Sequence, residues 1–380
     1  MAVAHLDHTE LDVLLVSSVT GKPLARPYLT LLTDAYSRRI LALYVTYDPP
    51  SYRSVMMTFR VCVQRHQRLP QELVVDRGPE FGSVYFETLL SRYFMTKKER
   101  PAQQPRFGSV IERLFGTATT EFLNQLRGNT QTRKTPRQMT REVDPHRLAV
   151  WTLERFAARV SEWAYDVYDQ LEHPALGQSP REAFTQGMQL AGPRLHRVIP
   201  YSDEFLMLTR PTTRTGYATI HPARGLTVHG LHYWHERMRT PAVAGQRVPV
   251  RYEPYNMGVV YAFVEGQWLT CIADAFALVH GRSEREWQLI LEEWRAQRRQ
   301  HGQQRLTVNS PLLAQFLEAV AAEEQILLQR QRDLEEQGLR DALLGSNPLT
   351  PRPTLAPPLD ATAAGDDLDL ATIPRYEEYR

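Results

Sequence analysis

The chain has little cysteine and no long apolar run, and each absence excludes a class of protein. Its two cysteines, Cys62 and Cys271, are too few for a disulfide framework or a cysteine-rich zinc site. They favour a reducing, intracellular compartment. The N-terminus lacks the charged and then apolar pattern of a signal peptide, and no apolar run approaches the length of a membrane span.

Charge is distributed unevenly, although the net value is only +2. Between residues 92 and 141, eleven lysines and arginines stand against three acids, a local net charge of +8. Such a stretch attracts phosphate backbones in a salt-dependent way; a solvated basic face is the alternative. The residues of this stretch that we expect to contact DNA are Lys97, Lys98, Arg106, Arg113, Arg133, Lys134 and Arg137.

Three carboxylates occupy positions from which the fold could bring them together. Asp7 and Asp76 each adjoin a short apolar stretch that predicts a strand, whereas Glu112 begins an apolar-periodic segment that predicts a helix. Hard divalent cations prefer oxygen ligands, and phosphoryl transfer with two metal ions needs several carboxylates at one point. Two strand carboxylates and one helix carboxylate are the arrangement of an RNase H-like polynucleotidyl transferase.

Each carboxylate also has a purely structural interpretation. Residues 76–78 are a plausible turn, and Ser109 with Glu112 forms the S-x-x-E pattern of a helix capping box. Asp34 is a rival carboxylate, for which a turn cap or a pair with Arg38 is the simpler role. The three residues in order, beside a basic stretch, favour the catalytic interpretation.

The sequence resembles the DDE transposases of the retroviral integrase superfamily, and among them the Mu-transposase and TnsB types. The resemblance covers about residues 3–280 and is carried by residues 5–12, 32–40, 75–81 and 109–116. Further similar positions are Tyr168, His173, Pro174, Ser179 and Pro180 after the catalytic region, and Tyr233, Trp234 and residues 250–254 in the family's β-barrel.

The resemblance implies that Asp7, Asp76 and Glu112 are the catalytic and metal-binding triad. They would hold two Mg²⁺ ions, for which Mn²⁺ can substitute, roughly 3.5–4 Å apart. It implies 3′-end cleavage of transposon DNA, strand transfer into target DNA, a homo-oligomer on that DNA and a bacterial cytoplasmic, nucleoid-associated location. Many members have Asn where this chain has Arg77, a departure that removes no metal ligand.

Full-length members usually carry helical DNA-binding domains before the catalytic domain, whereas here Met1 lies six residues before Asp7. We therefore expect either a fragment or end recognition by another chain. The alternatives are a non-catalytic DNA-binding or assembly subunit of a transposition complex, and an RNase H-type nuclease.

Composition and periodicity predict five regions. They are an α/β RNase H-like catalytic domain with a mixed five-stranded sheet (residues 1–127), a basic linker and helical segment (128–194), a small β-barrel (195–281), C-terminal helices (282–345) and a disordered Pro-rich, acidic tail (346–380).

The element predictions follow from local patterns. Within the first region, strands are expected at 11–16, 28–33, 40–46 and 72–76, and helices at 51–66 and 85–93. A helix at 152–171 is expected to bury Leu153, Phe156, Val160, Trp163 and Val167, and another begins at Ser179 and Pro180. The barrel strands are expected at 205–208, 217–220, 226–228, 248–252, 258–264 and 268–272, and the last helices at 283–301 and 310–344.

The C-terminal tail combines a proline-rich spacer with apolar residues among acids. Five prolines lie within residues 346–358, and Leu368, Leu370, Ile373, Tyr376 and Tyr379 are interleaved with acidic residues after them. Extended spacers keep a docking peptide reachable, and such segments commonly fold on a partner. In TnsB-like members the implied partner is an AAA+ ATPase that marks the target; an inert tail is the alternative.

Deletion of residues 360–380 is expected to spare cleavage and transfer on naked DNA but to abolish targeting by the ATPase, because it removes only the docking peptide. A pull-down with the ATPase, beside a transfer assay without it, measures both effects. Unchanged ATPase binding after the deletion would show that the tail is not the docking segment.

Overall fold

The computed structural model describes residues 1–100, 109–131, 144–190, 198–303 and 311–344. The strands are β1 (Val3–Glu10), β2 (Leu15–Val16), β3 (Pro23–Ala25), β4 (Tyr28–Asp34), β5 (Ile40–Thr46), β6 (Glu72–Val75), β7 (Thr96–Glu99), β8 (Tyr217–Thr219), β9 (Leu226–Val228), β10 (Leu231–Trp234), β11 (Arg247–Tyr252), β12 (Val259–Val264) and β13 (Gln267–Ala273). The helices are α1 (Tyr52–His66), α2 (Val84–Arg92), α3 (Ser109–Glu121), α4 (Pro145–Leu148), α5 (Leu153–Glu162), α6 (Pro180–Leu190), α7 (Asp203–Thr209), α8 (Phe276–Val279), α9 (Glu284–Gln303) and α10 (Pro311–Leu344). Within the described ranges, no helix has the length and apolarity that a membrane crossing requires.

The first sheet has the strand order β5-β4-β1-β6-β7. β1, β4 and β5 are antiparallel neighbours, whereas β6 pairs in parallel with β1, and β7 pairs in parallel with β6. Three antiparallel strands followed by two parallel strands, with helices on both faces, form the RNase H-like fold. The predicted fold class, a mixed five-stranded α/β sheet, is confirmed.

Alternating side chains of the central strands divide the core between the two faces of the sheet. Leu31 of β4 belongs to a cluster with Ile111 of α3 and Phe156 of α5. Its neighbour Leu32 belongs to the opposite cluster with Phe59 of α1. Burying each such side chain contributes roughly 1.5–3 kcal/mol, so the apolar faces of α1, α3 and α5 hold these helices against the sheet.

The strand predicted over residues 11–16 is wrong, except for the two residues of β2. The sheet's first strand is β1, which ends at Glu10. Beyond it, Leu11 and Leu14 donate their backbone N–H groups to loop carbonyls at 2.8 Å. The apolar character of this segment therefore reflects burial in the core, since Leu11 and Val13 are buried, rather than pairing in the sheet.

The strand predicted over residues 205–208 is also wrong, because this segment forms α7. The Ser202 side chain accepts a hydrogen bond from the backbone N–H of Phe205 at 3.4 Å and caps the helix. Asp203 and Glu204 lie in its first turn, where their negative charge interacts favourably with the helix dipole and stabilises the helix. Capping residues thus outweigh the β propensity of the short apolar run.

The amphipathic helix predicted over residues 152–171 changes its winding part-way. α5 is followed by a π-helix at Trp163–Tyr168, in which the extra residue in the turn shifts the faces. As a result Tyr168 is buried, whereas Val167, which we expected in the core, is 44% exposed. The other four predicted core residues of this helix are buried.

The second sheet has six strands in the order β8-β11-β12-β13-β10-β9 and forms a nearly closed small barrel. Its inward side chains, including Val250, Ala262 and Cys271, form their own apolar cluster. This confirms the predicted small β-barrel that follows the catalytic region. The exact domain boundaries expected at residues 127, 194, 281 and 345 stay predictions.

The long helix α10 is anchored by buried polar side chains. Glu335 accepts hydrogen bonds from the backbone N–H of Ser18 at 2.6 Å and from its hydroxyl at 2.7 Å. Glu336 accepts from the Thr46 hydroxyl at 2.6 Å and from the Tyr47 N–H at 2.7 Å. Because these acceptors are buried, the end of β5 and the loop after β2 hold the helix in one register.

The same helix also contacts the segment that follows the barrel. Asp333 accepts a hydrogen bond from Ser283, the residue before α9, at 2.5 Å. The guanidinium of Arg330 donates to the carbonyl of Gly281 at 2.6 Å, and that of Arg340 stacks 3.9 Å from the ring centroid of Tyr255. α10 thus packs against both the first sheet and the barrel and stabilises their contact with it.

Stability should depend on pH through Glu336. Burial, with the charge of Asp48 adding to it, raises the pKa of Glu336 from its ordinary value of 4.5 to about 7. The folded state therefore binds a proton that the unfolded state has released between these two values, so the stability from this group falls as the pH rises from 5 to 8. The loss is on the order of 3 kcal/mol.

The measurement is urea unfolding of the wild type and of Glu336→Gln across this pH range. The unfolding free energy of the wild type should fall relative to that of the variant as the pH rises. Glu323→Gln, an exposed position on the same helix, is the control. A difference that stays constant with pH would contradict the assignment.

Candidate functional site

Strand pairing places Asp7 beside Asp76. β1 pairs in parallel with β6 with Ala4 opposite Leu73 and His5 opposite Val74. Continuing this register by two residues sets Asp7 level with Asp76, just beyond the last residue of β6. Residues in register on neighbouring strands project from the same face of the sheet, so both carboxylates lie on one face.

The two aspartates and Glu80, which we call the carboxylate cluster, are coupled electrostatically. Burial raises the pKa of Asp7, the guanidinium of Arg100 opposes that rise, and the charge of Asp76 adds to it. Burial likewise raises the pKa of Glu80, and Asp76 and Asp7 both add to that rise. Repulsion between carboxylates of this kind is what a bound cation relieves.

The loop after β6 holds Asp76 and Glu80 in place. The backbone N–H of Gly78 donates to Asp76 Oδ1 at 3.0 Å, closing a short turn of the kind that Asp favours. A Cβ atom at Gly78 would lie 2.3 Å from Glu80 Oε1, so the glycine leaves room for that carboxylate. The Glu80 carboxylate therefore packs against the loop that follows Asp76.

His8 supports the cluster from the other face of β1. Its Nδ1 atom is 2.8 Å from the Thr30 hydroxyl, its ring stacks on Phe81 at 5.4 Å, and its Nε2 atom is 3.7 Å from Glu80 Oε1. Burial lowers the pKa of His8 to about 4, so the ring is neutral at pH 7. It therefore acts as a packing and hydrogen-bonding residue.

Arg100 is a cation that contacts the carboxylate cluster through Asp7. Its backbone N–H donates to the Val75 carbonyl at 2.9 Å, which continues the β6–β7 pairing and sets Arg100 level with Asp76. Its Nη1 atom donates to Asp7 Oδ2 at 3.1 Å, with the two side chains 11% and 15% exposed. Three adjacent parallel strands thus deliver Asp7, Asp76 and Arg100 to one line.

Glu112 is less tightly placed than the aspartates. It lies in the first turn of α3 and is exposed. Ile111 and Leu114 on either side of it are buried against the same face from which Asp7, the partner of Leu31, projects. The helix that carries Glu112 therefore covers the correct face, although no group of three or more acidic, His or Cys residues in the described ranges is placed to hold a metal ion.

Asp34, the rival carboxylate, is a turn residue. Its Oδ2 atom accepts hydrogen bonds from the Ser37 N–H at 2.9 Å and from the Ser37 hydroxyl at 2.8 Å. The side chain is 4% exposed, and the turn it closes joins β4 to β5. This geometry agrees with the simpler role that the sequence suggested.

The residues expected to contact DNA differ in their surroundings. Lys97 is bonded to Glu87 and lies 3.3 Å from Glu99, so its charge is engaged within the protein. Lys98 is 62% exposed and pairs with Glu72 at 2.8 Å, and Arg113 is exposed on α3. The remaining predicted contacts, Arg106, Arg133, Lys134 and Arg137, lie outside the described residues.

Comparison with known proteins identifies the relationship. A family model of the TnsB C-terminal domain matches residues 5–128, and one of the Mu transposase C-terminal domain matches residues 205–271. Over these two stretches the chain is similar to transposases of the Mu and TnsB types. The resemblance predicted from the sequence is therefore confirmed.

Two curated relatives show how far the similarity extends. The transposase for transposon Tn552 of Staphylococcus aureus is 24% identical over 295 residues, covering 73% of this chain and 57% of that protein. The Tn7 transposition protein TnsB of Escherichia coli is 28% identical over 136 residues, covering 31% of this chain and 19% of TnsB. The chain thus spans little more than half the length of one relative and a fifth of the other.

Solved structures with distant similarity are retroviral integrases. The catalytic core domain of BIV integrase covers 50% of this chain (97% of that core), with 13% identity and a TM-score of 0.28. The HTLV-2 integrase core in complex with magnesium covers 48% (95% of that core), with 11% identity and a TM-score of 0.31. The assignment of the fold rests on the strand order described above.

Replacing Asp76 with Asn should lower the pKa of both Asp7 and Glu80, because it removes a negative charge that raises each of them. Carboxyl ¹³C NMR titrations of the wild type and the variant measure the change. Glu99→Gln is the matched control, since Glu99 pairs with Lys97 and Arg77 on the edge strand β7. Unmoved titrations in Asp76→Asn would show that the cluster is not coupled.

Proposed function

We propose that the chain is the catalytic part of a DNA transposase that cleaves the 3′ ends of a transposon and transfers them into target DNA. The observation that carries the proposal is the register of an RNase H-like sheet, which sets Asp7 of β1 level with Asp76, just beyond the carboxyl end of the adjacent parallel strand β6. The transposase relatives support the same activity for this chain.

The donor chemistry of the site fits a divalent cation. The carboxylates of Asp7 and Asp76 are oxygen ligands of the kind that Mg²⁺ and Mn²⁺ prefer, and their mutual repulsion would be relieved by positive charge. When bound, such ions would polarise the phosphate and favour an oxygen nucleophile. Asp7 and Asp76 would hold the ions from the sheet, and Glu112 would join them from α3.

The reaction has two phosphoryl transfers at one site. In cleavage, a water oxygen bonds to phosphorus and the bond to the 3′ oxygen breaks, which leaves a free 3′-OH on the transposon strand. In transfer, that 3′ oxygen attacks a target phosphodiester and the target strand's 3′ oxygen departs. The chain's residues orient these groups, and no covalent protein–DNA intermediate is needed.

Substrate and partner assignments follow from the same proposal. The DNA would lie across the line of Asp7 and Asp76, and Lys98 of β7 and Arg113 of α3 are exposed basic residues that would contact it. The barrel would contact DNA from a second subunit, since two transposon ends must be paired in one complex. An AAA+ ATPase bound through the C-terminal tail would select the target.

Asp7→Asn, Asp76→Asn and Glu112→Gln should each reduce strand transfer roughly 100-fold or more while DNA binding is retained. Losing one ligand costs several kcal/mol of transition-state stabilisation, whereas the basic surface is unchanged. The measurement is Mg²⁺-dependent joining of duplexes with recessed 3′-OH ends to a plasmid. Glu121→Gln, exposed at the far end of α3, is the matched control.

Near-normal transfer by Glu112→Gln would remove Glu112 from the triad. Absence of transfer in the wild type, with DNA binding intact, would instead favour the non-catalytic assembly subunit. Strand scission without any joining would favour an RNase H-type nuclease.

A further inference from the structure

Arg100 has hydrogen-bonding capacity that the fold does not use. Its Nη1 atom is bonded to Asp7 Oδ2, but its Nε and Nη2 atoms are buried and find no hydrogen-bond partner among the described residues. Leaving donors of a charged group unsatisfied in the interior costs a few kcal/mol. A buried, unpaired donor in a native fold calls for an explanation such as a role in binding a ligand, which directs attention to the Nε–Nη2 edge of this guanidinium.

The two unpaired donors lie on one edge of the guanidinium plane. The N–H of Nε and one N–H of Nη2 point in parallel, and this pair is the fork with which arginine binds two oxygens of a phosphate. The Asp7 contact at Nη1 and the backbone bond to Val75 hold the other side of the residue. Arg100 is therefore anchored, and the donors of its fork are unpaired.

The negative charge of the carboxylates explains why a cationic group that binds the phosphate would be needed here. Asp7 and Asp76 lie level on adjacent strands, and a phosphodiester that approaches this pair of carboxylates is repelled. Arg100 forms an ion pair with Asp7 in that region. A second cationic group that touches the phosphate would offset the repulsion that a carboxylate site alone creates.

We propose that Arg100 is a phosphate-binding residue of the candidate active site, holding a phosphodiester oxygen pair through Nε and Nη2 while Nη1 remains on Asp7. The inference rests on the proposed function, because the phosphate is that of the reacting DNA. It distinguishes Arg100 from Lys97, whose charge is engaged by Glu87 and Glu99.

The test uses dimethyl phosphate, the smallest phosphodiester, with the full chain in Mg²⁺ and ¹⁵N-labelled arginine. Arg100→Lys identifies the Arg100 Nε–H resonance by its absence. Dimethyl phosphate should move that resonance downfield in the wild type and slow its exchange with solvent, as a new hydrogen bond requires. The internal control is Arg77, which adjoins Asp76 in sequence but is 66% exposed and faces Glu99.

Variant affinities supply the second measurement. Line broadening of the ³¹P signal should show binding weakened roughly tenfold or more in Arg100→Gln, since charge-assisted hydrogen bonds are lost. Arg100→Lys keeps the charge but not the fork, so its affinity for dimethyl phosphate should lie between those of the wild type and Arg100→Gln. Arg77→Gln, the charge-matched control, should bind as the wild type does.

An Arg100 resonance that shifts no more than that of Arg77, or equal weakening in Arg77→Gln, would overturn the proposal. Its failure is separable from that of the proposed function. If Arg100 responds to dimethyl phosphate but the chain joins no DNA, the phosphate site stands and the proposed transposase activity is wrong. If the chain joins DNA but Arg100 does not respond, the transposase activity stands and the phosphate site is wrong.

Discussion

The parallel pairing of β1 with β6 is the constraint on which the candidate site depends. β1 is the central strand, and its antiparallel contact with β4 and parallel contact with β6 determine its position on both sides. A shift of one residue in the β1–β6 register would send Asp7 to the opposite face from Asp76. The buried leucines of β1 and β4 disfavour that shift, because they would be moved away from their apolar clusters.

The packing of helices on the sheet then determines which side chains lie near Asp7 and Asp76. α3 is held by Ile111, Leu114 and Ala118 on the face from which Asp7 projects, and this face is where a third carboxylate could be delivered. α10 buttresses β5 and the segment after the barrel through Glu336 and Asp333. The barrel's position beside the first sheet therefore depends partly on buried polar contacts, which are sensitive to protonation.

Part of this arrangement was predictable from the sequence, because short apolar runs bounded by turn residues predict strands. The strands at β4, β5 and β6 and the capped helix α1 follow such local signals. The strand that carries Asp7 was missed, because β1 is rich in polar residues and the apolar run after it, residues 11–16, was assigned instead. β7 was not assigned, since Thr96–Glu99 is a charged and mostly exposed edge strand without an apolar pattern. The same charged run concealed Arg100, whose role depends on pairing with β6.

Other differences have equally local causes. The π-helix at Trp163–Tyr168 interrupts the period on which the burial of Val167 was predicted, and a capping serine makes α7 a helix. Glu112 could be assigned to a helix but not to a distance from the aspartates, because that distance depends on how α3 is seated on the sheet. Spacing along the chain carries no information about such packing.

The most direct test of the account is a crystal structure with Mn²⁺, analysed by anomalous diffraction at the manganese edge. The account predicts a peak between the carboxylates of Asp7 and Asp76, with Glu112 brought within coordination distance from α3. Peaks confined to other acidic surfaces, with none between Asp7 and Asp76, would contradict the assignment of this site as the centre of phosphoryl transfer.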